Sequence, residues 1–230
     1  MKKLLSHFLV IIVAITMFSC TPSKPVETTI TTLVPVSDAD KSVTKNGVTV
    51  DVTAINESNI SLYPDLSAQY PVWNGRETYQ QPIYNVLADF SDPMAVTFAI
   101  KITNNTGHIV KFNGSDVGIS VSGKDFRKLD IPKINNAWGV FFRKYYTNMP
   151  SAPPEVLTVI QNAPLWDENQ KVLPGKSITV YAPFDVNLKK GFSTATLSIY
   201  DLVTNVDNAG NPTERTNLDF NFKEGSFIRK

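Results

Sequence analysis

The chain has 230 residues, a formal net charge of +1 and one cysteine. Its charges of both signs are scattered, so it carries no basic stripe of the kind that grips nucleic acid. One thiol and two histidines, His7 and His108, make no His or Cys cluster for zinc.

The first stretch is "MKKLLSHFLVIIVAITMFSC". Lys2 and Lys3 are a short basic start, residues 4–18 are mostly apolar, and small Ser19 precedes Cys20. That pattern is a secretory signal peptide over residues 1–19. A membrane-spanning helix is the weaker reading, because it needs about 20 consecutive apolar residues and polar Ser6, His7 and Thr16 interrupt a shorter run. Met17, Phe18, Ser19 and Cys20 resemble the lipobox of bacterial lipoproteins, with Phe18 bulkier than that place usually holds. The resemblance implies a diacylglycerol on the Cys20 sulfur, cleavage before Cys20 and acylation of the new amino group, commonly with palmitate. The other reading makes Cys20 an incidental thiol at the end of an ordinary signal. A lipidated Cys20 fixes a protein to a membrane surface without a spanning segment, since one acyl chain holds marginally and two or more hold stably. By resemblance to enterobacterial lipoproteins, Thr21 after the cysteine points to the outer membrane of a bacterial envelope, with the facing left open.

Residues 20–44 are rich in Thr, Ser and Pro and poor in apolar side chains. They read as a flexible linker, because such composition does not bury enough surface to offset chain entropy. The alternative is that residues 29–36 add an edge strand, where Pro35 is tolerated.

Residues 45–230 read as one domain. Apolar residues alternate along it, the signature of half-buried strands. Val48, Val50, Val52 and Ala54 share a face after the Asn46-Gly47 turn signal. Val96, Phe98, Ile100 and Ile102 share another, with Thr97, Lys101 and Thr103 expected on the wet side. After the turn "NNTGH", "HIVKF" and "VGISVSG" follow as short strands. "LPGKSITVYAPFDV" puts Ile178, Val180, Ala182 and Phe184 inward, "STATLSIYDL" aligns Ala195, Leu197 and Ile199, and "NLDFNFK" aligns Leu218, Phe220 and Phe222. Seven alternating strands predict an all-β fold, an immunoglobulin-like antiparallel β-sandwich, with a partly open barrel as the alternative. Residues 45–55, 94–123 and 174–230 together come close to the ~100 residues of such a domain. The run from "ITNNTGHIVKF" to "LPGKSITVYAPFD" resembles small immunoglobulin-like domains on bacterial secreted proteins and lipoproteins. That resemblance implies an accessory role and carries over no catalytic residue.

Two insertions interrupt the strands. The first, about 56–93, holds Tyr63, Tyr70, Trp73, Tyr79, Tyr84 and Phe90 among Pro and Asn, with poor alternation. The second, about 124–173, is expected to be partly helical. Trp138, Phe141, Phe142 and Tyr145 fall on one helical face, and "APPEVLTVIQNA" suits a short helix with prolines at its start. These aromatics either line a recognition surface or pack inward over an open end of the sandwich. As ligand-binding residues the candidates are Trp73, Tyr79 and Tyr84.

Catalysis needs positioned groups. His7 leaves with the signal, His108 falls in a turn, and acylation would remove the Cys20 thiol. Lys-based or carboxylate pairs are the remaining routes. Asp207, Asn208 and Asn211 in "NVDNAGNPTER" offer oxygens, but their spacing suits a hairpin turn rather than calcium. The expectation is a non-enzymatic, membrane-anchored lipoprotein without cofactor or metal. It would present a binding module to a protein partner, or alternatively to a glycan.

Overall fold

The computed structural model describes residues 28–73, 76–87, 96–146, 149, 151–186, 188 and 191–229. The signal segment and Cys20 lie outside the described residues. Contacts divide the chain into two units. Of the first, Met1–Ile30 with Ile228–Lys230, the described residues are the outer ends of two strands. The second, Thr31–Phe227, holds everything that follows.

The described residues are mostly strand, with two α-helices and three single-turn 3-10 helices. In chain order the strands are β1 (Thr28–Pro35), β2 (Ser42–Lys45), β3 (Val48–Ile55), β4 (Ala68–Trp73), β5 (Thr78–Ile83), β6 (Val96–Asn104) and β7 (Val110–Lys111). Then come β8 (Asp116–Val121), β9 (Lys124–Arg127), helix α1 (Ile131–Tyr145), helix α2 (Pro154–Asn162), β10 (Lys171–Val172), β11 (Ser177–Phe184), β12 (Ala195–Val206) and β13 (Pro212–Arg229). One sheet runs β1-β13-β12-β7-β10, with β8 on the first half of β12 and β9 beyond it. A second runs β11-β6-β3-β2, and β4 and β5 form a separate ribbon. Every pairing whose register is described between these strands is antiparallel.

The first core lies between the two larger sheets. One sheet contributes Val117, Ile119, Leu197, Ile199, Phe220 and Phe222, and the other Val50, Phe98, Ile100, Ile102, Val180 and Phe184. These are the inward residues that the alternation predicts. The core closes without a disulfide, on aromatic contacts such as Phe98 with Phe222, ring centres 5.2 Å apart.

Two expectations are corrected. Residues 31–44 are not a flexible linker: β1 is the edge strand of the larger sheet, beside β13, and Leu33 is buried in the first core. A short turn (Asp38–Asp40) then hands the chain to β2 in the other sheet. Composition misleads here because one well-placed apolar side chain, Leu33, is enough to dock a Thr-rich edge strand. The β2–β3 hairpin closes through Asn46 and Gly47, both at positive φ (52° and 75°), the two-residue geometry that favours these residue types.

The second correction concerns the outer face of the β11-β6-β3-β2 sheet. Lys101 is exposed there as expected, but Thr97 and Ala99 are buried. Ala99, Ile55 and Tyr181 belong to a second core with Leu66, Tyr70 and Ile83 from the first insertion and Ile134, Trp138, Phe142, Val156 and Ile160 from the helices. The insertions therefore cover a sheet face rather than an open end.

Candidate functional site

The β4–β5 ribbon carries the three aromatic candidates. Alternation along β4 buries Ala68, Tyr70 and Val72 against the second core and turns Gln69, Pro71 and Trp73 the other way. The sequence hides this strand because Pro71 and Pro82 sit inside the ribbon. They are tolerated because each strand has a neighbour on one side only, so a missing N–H need not break a ladder. The register pairs Ala68 with Ile83, Tyr70 with Gln81, Val72 with Tyr79 and Trp73 with Thr78.

Directly paired residues share a face. Tyr79 therefore lies on the inner face beside Val72, with 44% of its surface exposed. Trp73, 58% exposed, lies on the outward face with Thr78. Tyr84, 62% exposed and one residue beyond Ile83, falls on that outward face by the same alternation. At its level Ser67 Oγ donates to the Tyr84 carbonyl oxygen at 3.2 Å. The structure thus brings Trp73 and Tyr84 to one surface and leaves Tyr79 on the other. Sequence reasoning passed over Gln69, Gln80 and Thr78 between the two rings. The signal that finds them is the ribbon's alternation, read through the prolines.

Phe90 lies outside the described residues, and most of the other insertion aromatics pack. Trp138 is 1% exposed and its Nε1 donates to the Val86 carbonyl at 2.6 Å. Phe142 meets Tyr70 edge-to-face at 5.1 Å, and the Tyr70 and Tyr146 hydroxyls bond each other at 2.9 Å. Tyr145, from the same predicted helical face, is exposed. Beneath the ribbon, buried Tyr181 donates its hydroxyl to both Asp65 carboxylate oxygens, at 3.0 and 2.8 Å. Burial first, and the Asp65 carboxylate second, push the phenol well above its ordinary range, so it stays protonated.

An open cleft of about 930 Å³ lies at the other end of the helical insertion, with Asp116, Lys128, Asp130, Trp166, Asp167 and Glu168 in its walls. Three of its carboxylates are engaged by their own turns. Asp130 caps α1 by accepting from the Lys133 N–H at 2.9 Å, Asp116 accepts from the Val117 N–H at 2.8 Å, and Asp167 from the Asn169 N–H at 2.7 Å. The Lys133 backbone N–H holds the Asp130 carboxyl below its usual range. Trp166 stacks on Phe112 with ring centres 4.4 Å apart.

The "NVDNAGNPTER" loop is the β12–β13 hairpin turn. Asp207 accepts from the Ala209 and Asn211 N–H groups at 2.9 and 2.8 Å and from Asn211 Nδ2 at 3.0 Å, which lowers its pKa. Glu214 Oε1 accepts instead from Asn46 Nδ2 at 2.6 Å. Among the described residues no group of three His, Cys, Asp or Glu side chains is placed to hold a metal ion. His108 is exposed in its turn, its carbonyl oxygen accepting from Asn104 Nδ2 at 2.7 Å. No described helix is long and apolar enough to cross a membrane. No family model, curated protein or solved structure matches this chain.

Proposed function

We propose that this chain is a lipoprotein of a bacterial cell envelope, anchored through acylated Cys20, and that it displays a non-catalytic immunoglobulin-like module for binding. The single observation that carries the anchor is the position of the chain's one cysteine, directly after Met17, Phe18 and Ser19 at the end of an apolar segment with a basic start. Support for an immunoglobulin-like module comes from two antiparallel sheets around one core that needs no cysteine staple. Support for a binding role comes from exposed Trp73 and Tyr84 on a ribbon whose other face is packed.

Between Cys20 and the start of β1 at Thr28 stand seven residues. The acylated end thus reaches the fold through a stretch much shorter than residues 20–44 suggest. The anchor is tested by incorporation of labelled palmitate in cells making the wild type or Cys20→Ala, with mass spectrometry of the mature chain. Label in the wild type alone, on a chain that begins at Cys20, is the expected result. An unmodified Cys20, or one still preceded by its leader, removes the proposal.

A further inference from the structure

The outward face of the β4–β5 ribbon consists of Gln69, Pro71 and Trp73 from β4 and Thr78, Gln80 and Pro82 from β5, ending on Tyr84. Apart from the Tyr84 phenol it bears no ionisable side chain. Arg76 and Glu77 precede β5, and both already have partners. Among the described residues no side-chain hydrogen bond engages Gln69, Thr78, Gln80, Trp73 or Tyr84. The face therefore offers two exposed rings, two free amides and a free hydroxyl, with its opposite side fixed by Ala68, Tyr70, Val72 and Ile83 in the second core.

We propose that this face binds an extended, uncharged polysaccharide, with sugar rings lying on Trp73 and Tyr84 and sugar hydroxyls met by Gln69, Thr78 and Gln80. The inference rests on the reading of the chain as a displayed binding module and names that module's ligand class.

Size and charge select the occupant. Trp73 and Tyr84 stand six residue steps apart along the ribbon, roughly 20 Å at about 3.3 Å per residue. Two strands about 4.8 Å apart make a face on the order of 10 Å wide, so its footprint is roughly 200 Å². A stable protein–protein interface needs about 800 Å² from each partner. A single glycan strand is long and narrow and matches the ribbon. The faces of sugar rings present C–H groups that suit aromatic rings, and their rims present the donors and acceptors that amides pair with. A face without charge gives no Coulombic gain to an anionic or cationic polymer. Prolines at 71 and 82 hold the backbone between the rings without adding rotamer freedom, so little ordering is needed when the ligand binds.

The chain's own tryptophans supply the test. Trp138 and Trp166 are 1% and 3% exposed, so acrylamide quenching of fluorescence reports on Trp73. Full-length protein in detergent is titrated with cellohexaose, xylohexaose, mannohexaose and maltohexaose and with the matching disaccharides, by quenching and by calorimetry. At least one hexasaccharide is expected to shield Trp73 and to bind more tightly than its disaccharide, because two rings contribute. Trp73→Ala and Tyr84→Ala are each expected to weaken that binding about tenfold or more. Tyr79→Ala, on the opposite face, leaves it unchanged. Both ring positions are exposed, so unchanged thermal midpoints show that the variants fold.

The proposal is overturned if no member of the panel binds, if a disaccharide binds as tightly as its hexasaccharide, or if Tyr79→Ala weakens binding as much as Trp73→Ala does. Capture of a protein on this face with no saccharide bound overturns it as well. Acylated Cys20 without glycan binding defeats the ribbon proposal alone. Glycan binding with Cys20 unmodified defeats the anchor alone.

Discussion

Asp40 shows how one side chain decides where a segment goes. Its Oδ2 accepts from the Ser37 N–H and hydroxyl at 3.0 and 2.6 Å, and its Oδ1 from the Asn221 N–H and Nδ2 at 2.8 and 3.1 Å. The Ser37 hydroxyl, then the Asn221 N–H, lower its pKa. A depressed folded-state pKa stabilises the fold above the unfolded value of about 3.9, and that stability drains away as pH falls through the folded pKa. Asp40→Asn puts an NH₂ against donors and is expected to cost about 1–3 kcal/mol near neutral pH. It should also flatten the fall of the thermal midpoint below about pH 4. Asp38, Asp130 and Asp207 are lowered as well and remain in the variant, so the acid slope shrinks without vanishing. Calorimetric melts of both proteins from pH 7 to pH 2 check this. Tyr181→Phe is the milder change at this scale. Asp65 is exposed and water takes over its bonds, so the loss is expected to be about 0.5–1.5 kcal/mol in urea unfolding.

At the scale of elements, two placements depend on close contact. A Cβ on Gly225 of β13 would stand 2.6 Å from Val34 Cγ1, so β1 lies against β13 where a side chain would be. Gly225→Ala is expected to cost about 1–3 kcal/mol through overpacking. Amide exchange should show residues 31–35 losing protection before the rest of the sheet. Helix α1 begins at its Asp130 cap and turns Ile134, Trp138 and Phe142 to the second core. Trp138→Ala removes both the indole packing and the bond to the Val86 carbonyl. The expected loss is about 3–5 kcal/mol in denaturant unfolding, with Trp138→Phe in between. The helix was visible in the sequence because three- and four-residue spacing marks one face. The ribbon was not, because its prolines look like breakers until the two-stranded pairing of β4 with β5 makes them harmless.

For the whole molecule, the β11-β6-β3-β2 sheet is covered on both faces at the end that carries Ile55, Ala99 and Tyr181. Phe98, Ile100 and Ile102 of β6 enter the first core, while Ala99 enters the second together with Tyr181 of β11. The second core cannot be removed without stripping that sheet. A chain in which a short Gly-Ser linker replaces residues 129–163 is expected to expose Ile55, Ala99 and Tyr181, to bind the dye ANS and to self-associate. A soluble, dye-negative deletion variant would show the two cores to be independent.

The sequence by itself determined which residues alternate into the core strands β3, β6, β8, β11, β12 and β13, where the Asn46-Gly47 hairpin and the Asp207 turn close, and that Trp138 and Phe142 share a helix face. These are local matters of backbone geometry and of periods 2 and 3.6. Tertiary structure alone decided the fate of residues 31–44, the covering of Thr97 and Ala99, and the separation of Tyr79 from Trp73 and Tyr84. Each depends on which surface a distant segment reaches. A sheet face looks the same in sequence whether water or another layer lies against it until the partner's apolar side chains are brought up to it.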